Sequence, residues 1–190
     1  DAEPLEWARA KGIPVWGEIE LAWRFCRKPV IAVTGSNGKT TTVTLIAKVL
    51  EAAGKRVCLC GNVGTPYSRY ALREDVDFFV VEVSSFQLEL INTFRPHIAV
   101  LLNISQNHFD RHADMQEYFD AKKRIFMNQT KDDFAVLNAF DERVRRLEHE
   151  VPSQVKFFNA EGEARNPNHL AVLEVSRILG VPDAVAEKVF

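Results

Sequence analysis

Ile31-Ala-Val-Thr-Gly-Ser-Asn-Gly-Lys-Thr-Thr-Thr42 is the stretch that decides how this chain is read. It opens as an apolar strand from Val30 to Val33, breaks at Gly35 and Gly38, and becomes a helix near Lys39 that carries Val43, Leu45, Ile46, Val49 and Leu50. Strand, glycine loop, Lys-Thr and helix, in that order, is the layout of a phosphate-binding loop. The glycines let the backbone approach phosphate oxygens with its N–H groups pointing inward. The helix N-terminus adds partial positive charge, the Lys39 ammonium a full one, and the Thr40 hydroxyl suits Mg²⁺. The longer spacing Gly-x-x-x-x-Gly-Lys would need glycine where this chain has Val33. The shorter form, Thr34-Gly-Ser-Asn-Gly-Lys-Thr40, is the one present. The bland alternative is an ordinary turn before a helix.

Strand and helix alternate outward from that loop. Strands are expected at 29–34, 56–60, 77–82, 97–103, 133–138 and 155–158. Helices are expected near 4–10, 18–27, 39–53, 65–73, 85–93, 114–128 and 141–149, with a last one through Leu170, Leu173 and Leu179. Phe78-Phe-Val-Val81 and Ile98-Ala-Val-Leu-Leu102 show no polar alternation, so these strands are buried on both faces. The fold class is therefore α/β: a doubly wound, mostly parallel sheet with a phosphate-binding loop and helices on both faces. Ligands of such sheets sit beyond the carboxyl ends of the strands.

Composition fits one α/β domain with a substantial core: 190 residues, a formal net charge of −2 and no apolar run long enough to span a membrane. That balance leaves no footprint for nucleic acid or a membrane. The three cysteines, two of them in Val57-Cys58-Leu59-Cys60, read as buried thiols of a reducing, cytoplasmic compartment, with a Cys-x-Cys metal or redox pair as the lesser alternative. Opening at Asp1 without an initiator methionine, the chain reads as part of something longer.

Chemistry-bearing residues gather at the expected strand ends: the loop, then Gly61-Asn62-Val63-Gly64, Glu82-Val-Ser-Ser-Phe-Gln87, and Asn103-Ile-Ser-Gln-Asn-His108-Phe-Asp-Arg-His112. Glu82 closes an apolar strand, where a carboxylate is costly unless paired or metal-bound, so it is a candidate Mg²⁺ ligand. Its alternative is the N-cap of a helix. His108 stands at the next strand end and is a candidate contact for metal or substrate.

Together, Thr34–Thr40, Gly61-Asn62, Glu82-Val-Ser-Ser-Phe-Gln-Leu-Glu89 and His108-Phe-Asp-Arg111 resemble the central domain of the Mur ligases, and Ser84–Glu89 resembles the D-glutamate-adding branch. Gly12-Ile-Pro-Val-Trp-Gly-Glu-Ile-Glu-Leu21 is similar to the family's entry into this domain. The resemblance implies an ATP-dependent amide ligase of peptidoglycan precursor synthesis. UDP-N-acetylmuramoyl-L-alanine, ATP and D-glutamate would be its substrates, and an acyl phosphate its intermediate. It implies that Gly35, Ser36, Asn37, Gly38, Lys39, Thr40, Thr41 and Asn166 hold ATP. Two Mg²⁺ ions would be held by Thr40, Glu82, His108 and a carbamylated Lys122. Lys39, His108 and Lys122 would be catalytic, and Asn62, Ser84 and Gln87 would line the substrate. Without the resemblance Lys122 is simply a solvated helix charge.

Two departures stand out. Asn107 occupies the place of an aspartate, and the segment after Asn159 is shorter than the pattern, as if a loop were missing near 160–166. The expected organisation is an entry segment over 1–28 and a central domain over 29–190, with the N- and C-terminal domains of the family outside this chain and the protein a monomer. Rival readings are another Mur-type or folylpolyglutamate-type ligase, and a nucleotide-binding module without catalysis.

Overall fold

The computed structural model describes residues 3–105, 114–159 and 165–190. Its centre is a six-stranded sheet in the order β2-β3-β1-β4-β5-β6. The strands are β1 (Val30–Thr34), β2 (Val57–Gly61), β3 (Phe78–Glu82), β4 (Ile98–Leu101), β5 (Phe134–Asn138) and β6 (Gln154–Phe158), and every pairing is parallel. All six expected strands are present, and the α/β fold class holds.

Two apolar layers sandwich the sheet, and alternate residues of β1 feed them. Val30 and Ala32 enter one layer, with Ile19, Tyr67, Phe79, Leu88 and Ile125. Ile31 and Val33 enter the other, with residues of α3 (Lys39–Ala52), α7 (Pro167–Ile178) and α8 (Asp183–Glu187). All five residues of β1 are buried, as a central parallel strand requires. The other face carries α2 (Glu18–Phe25), α4 (Ser85–Glu89), α5 (Met115–Lys123) and α6 (Glu142–Arg145), while α1 (Glu3–Ala10) precedes them. The segment expected as an entry therefore contributes to the core, through Ile19 and Ala22 of α2.

Several helices are shorter than their periodicity suggests. The helix expected at 65–73 is one 3₁₀ turn, Tyr67–Arg69, which begins at Pro66 without a side-chain cap. The one expected at 85–93 stops at Glu89. Beyond it, the N–H groups of Asn92, Thr93 and Phe94 donate to the Glu20 carboxylate instead of to helix carbonyls, at 2.8, 2.8 and 3.0 Å. The Arg124 guanidinium occupies the carbonyls of Leu88 and Ile91, both at 2.8 Å. Residues 124–126 and 146–149 tighten into 3₁₀ turns. Helix α8 was not expected from the sequence.

Candidate functional site

Helix α3, which follows β1, covers one face of the sheet; α5, which follows β4, covers the other. Adjacent strands whose helices leave in opposite directions open a crevice at their carboxyl ends. The glycine loop lies there. It is clamped to the segment after β4: Ser36 N donates to the Asn103 carbonyl at 3.0 Å, Asn37 N to Asn103 Oδ1 at 2.9 Å, and Asn103 Nδ2 to the Asn37 carbonyl at 3.1 Å. Gly38 sits at φ +83°, directly before α3, and a Cβ there would lie 2.4 Å from Asn168 Oδ1.

Strand register brings Glu82 level with Val33 on one side and Gly61 on the other. Gly61 adopts φ +105°, and a Cβ would stand 2.3 Å from the Glu82 carbonyl oxygen, so only glycine lets the chain turn this close to the acid. Glu82 is almost wholly buried. Its Oε2 accepts from Thr40 Oγ1 at 2.7 Å and its Oε1 from Asn62 Nδ2 at 2.9 Å. These donors are neutral. The set is a buried carboxylate, a hydroxyl at the helix start and the open end of a phosphate loop, and that chemistry fits one hard cation.

Two lysines converge on the loop from opposite sides. Lys39 Nζ donates to the carbonyls of Gly35 at 2.8 Å and Ser36 at 3.0 Å. Lys122 Nζ donates to the same Gly35 carbonyl at 3.0 Å. Burial lowers the Lys39 pKa, with Glu82 opposing. Lys122 is 1% exposed; burial pushes it down to about 7, the Lys39 ammonium pushes the same way, and Glu82 opposes both. An amine in that state is substantially neutral at neutral pH, which fits carbamate formation. Lys122 is therefore not the solvated helix charge it reads as without the resemblance: α5 turns it inward.

A cleft of about 150 Å³ opens beside these groups, lined by Lys39, Asn62, Ser84, Phe86, Tyr118 and Lys122, with Ser85 at its wall. Of the expected substrate residues, Asn62 and Ser84 reach it. Gln87 closes a capping box instead: its Oε1 accepts from Ser84 N at 3.0 Å and Ser84 Oγ at 3.1 Å, while Ser84 Oγ accepts from Gln87 N at 3.3 Å. Asn166 caps α7 by accepting from Asn168 N at 2.9 Å. Of these two asparagines at the start of α7, it is Asn168 whose side chain meets the loop, at Gly38. His108 lies outside the described residues, as does Asn107. Among the described residues no group of three or more His, Cys, Asp or Glu is arranged to hold a metal. Cys58 and Cys60 are buried free thiols, and burial raises both pKa values, so the metal or redox alternative finds no support.

Sequence reasoning missed Tyr118 and Asn168. Tyr118 precedes Lys122 by one helical turn and therefore shares its face, a spacing that could have flagged it. Asn168 has no local signal; its closeness to Gly38 depends on α7 packing against α3.

The family description that matches is the Mur ligase middle domain, over residues 33–178. The chain is similar to UDP-N-acetylmuramoylalanine–D-glutamate ligase of Koribacter versatilis, 49% identical over 167 residues that make up 87% of this chain and 37% of that protein. It is similar to the same-named ligase of Desulfosudis oleivorans, 51% identical over 158 residues, 83% of this chain and 34% of that one. The chain thus spans about a third of the length of these curated relatives. Among solved structures, MurF from Acinetobacter baumannii superposes with a TM-score of 0.73 at 18% identity, covering 90% of this chain and 47% of that one. MurF from Thermotoga maritima in complex with ADP superposes with a TM-score of 0.68 at 23% identity, covering 87% and 49%. At those identities the structures speak for the fold.

Proposed function

The chain belongs to the Mur ligase family through its middle domain, and from that premise we propose that it is the central, ATP-binding domain of a longer ligase. The activity we assign is ATP-dependent addition of D-glutamate to UDP-N-acetylmuramoyl-L-alanine, by a monomer in the cytoplasm, in peptidoglycan precursor synthesis. Residues 29–190 form that domain, and 1–28 its docked entry. The observation that carries the reading is the constellation around the loop: Glu82 held by Thr40 and Asn62, with Lys39 and Lys122 meeting on the Gly35 carbonyl.

In the reaction, the alanyl carboxylate attacks the γ-phosphorus of ATP, the bond to the β–γ bridging oxygen breaks, and ADP leaves. The amine of D-glutamate then attacks the acyl phosphate, loses a proton and expels phosphate. No covalent bond to the protein forms, so the domain contributes positioning and charge neutralisation. Loop N–H groups from Gly38 to Thr41, at the start of α3, receive the phosphates, while those of Ser36 and Asn37 hold the loop to Asn103. The Lys39 ammonium exchanges the loop carbonyls for phosphate oxygens. Thr40 and Glu82 would hold one Mg²⁺, and His108 with a carbamate on Lys122 would hold a second; these ions would offset the charge of two anions brought together. The buried amine of Lys122 supports the carbamate. Asn62 and Ser84 face the substrate cleft. Asn168, whose side chain lies against Gly38, takes the nucleotide-facing role expected of Asn166.

The test is phosphate release from ATP by the full-length protein. Release should require both UDP-N-acetylmuramoyl-L-alanine and D-glutamate. Release supported instead by a diamino acid or a folate acceptor would move the protein to another ligase branch, and no release with any acceptor would favour the non-catalytic module.

A further inference from the structure

Tyr118 is buried at the inner side of the cleft and touches both halves of the loop site. Its ring face lies under Lys122, with Nζ 4.6 Å from the ring centroid. Its hydroxyl is 3.3 Å from Ser36 Oγ, which in turn receives Ser105 N at 2.9 Å. Tyr118 and Lys122 are one turn apart on α5, so their side chains share one face of the helix. Lys122 has long, rotatable carbons and, among the described residues, neutral acceptors: the Gly35 carbonyl at 3.0 Å and Thr34 Oγ1 at 3.4 Å. Those contacts fix one end of its reach. The ring fixes the rest, by excluding the rotamers that would occupy the same space.

We infer that Tyr118 is a positioning residue: its ring holds the Lys122 side chain against the loop and directs the amine at the cleft. It acts through Lys122 and does not itself contact reacting atoms. The inference rests on the proposed ligation for its kinetic consequence, but the geometry has a signature of its own. A methylene held over an aromatic face resonates upfield.

The experiment has two arms, both on the full-length protein. In protein labelled at lysine Cε, the Lys122 ε-methylene signal is identified by its loss in Lys122→Ala. It should lie upfield of the other lysines, stay upfield in Tyr118→Phe and return to the ordinary position in Tyr118→Leu. An ordinary position in the unsubstituted protein overturns the inference. In the kinetic arm, Tyr118→Leu should lower kcat about tenfold with the KM for ATP unchanged, and Tyr118→Phe should recover most of it. Placed in Lys122→Ala, Tyr118→Leu should cause no further loss; a full further loss there means the ring acts independently of Lys122 and overturns the inference. If Tyr118→Leu does not fold, Tyr118→Met serves in both arms. An upfield signal in a protein that fails to ligate leaves the positioning intact and removes the proposed function.

Discussion

Two glutamates are buried among the described residues, and they are buried for opposite purposes. Glu20 on α2 is wholly enclosed, and its two oxygens receive three backbone N–H groups, the Thr93 hydroxyl at 2.7 Å and the Arg24 guanidinium at 2.9 Å. Burial alone would raise its pKa; the donors from Asn92, Thr93 and Phe94 outweigh that and hold it below the ordinary 4.5. Glu82 is equally enclosed but receives one hydroxyl and one amide. The first is a saturated anchor that fastens α2 to the segment after α4. The second keeps lone pairs for a partner to come. A buried acid with fixed backbone donors stabilises the fold, whereas one with exchangeable side-chain donors at a strand end serves chemistry.

The sharpest way to break that contrast is at the cation beside Glu82. Among the described residues the Lys39 ammonium donates to loop carbonyls, so its removal should leave the fold intact. Lys39→Ala in the full-length protein should lower ATP turnover about a thousandfold, as loss of a charge-stabilising group at a reacting phosphate does. Calorimetric melting should be nearly unchanged. Normal turnover would remove the phosphate-loop reading altogether.

Next in size is Glu20. Glu20→Gln keeps the shape but offers one acceptor oxygen to groups that need two, and it leaves the Arg24 guanidinium facing an amide. The expected cost is about 3 kcal/mol of stability, read by urea denaturation at neutral pH. Acid supplies the second check. Because the folded pKa lies below the unfolded value of 4.5, Glu20 contributes its stabilisation above that value and loses it as pH falls through the folded pKa. The substituted protein lacks that component, so the two denaturation midpoints should converge in acid. A gap that stays constant down to the lowest pH would contradict the anchor.

Glu82→Gln should do the reverse. The amide can still accept from Asn62 and can donate to the Thr40 oxygen, so the melting temperature should hold. Turnover should fall about a hundredfold, with more Mg²⁺ needed for half-maximal rate. If stability falls instead and the magnesium requirement does not move, Glu82 belongs with Glu20.

Only one of these acids was legible in the sequence. Glu82 ends a run of four apolar residues, and a charge in that position calls for an explanation. Glu20 sits in Glu18-Ile-Glu-Leu-Ala-Trp-Arg-Phe25, where alternation of charged and apolar residues looks like an ordinary amphipathic helix. Apart from Arg24, its partners are more than seventy positions away, so no local pattern announces them. The same distance effect separates the readable sheet from the misjudged helices. Buried parallel strands declare themselves by composition, while α4 ends where it does because of Glu20 and Arg124. Ser84 and Gln87 show a further ambiguity: Ser-x-x-Gln is a capping box as well as a candidate substrate pair, and here the box is formed.

The smallest expected effect sharpens the contrast at a second pair, Asn166 and Asn168. They are two residues apart at the start of α7, and the first side chain is used on the backbone N–H of the second. Asn166→Ala removes an N-cap, which costs about 1 kcal/mol, and should leave nucleotide affinity as it was. Asn168→Ala keeps the cap, because Asn166 accepts from the backbone of residue 168 and not from its side chain. It opens space beside Gly38, where the asparagine oxygen now lies. Its stability should be nearly unchanged and its affinity for Mg·ATP lower, measured by titration calorimetry. If Asn166→Ala weakens nucleotide binding and Asn168→Ala does not, the nucleotide is read by the capping residue, and the packing of α7 on the loop serves stability alone.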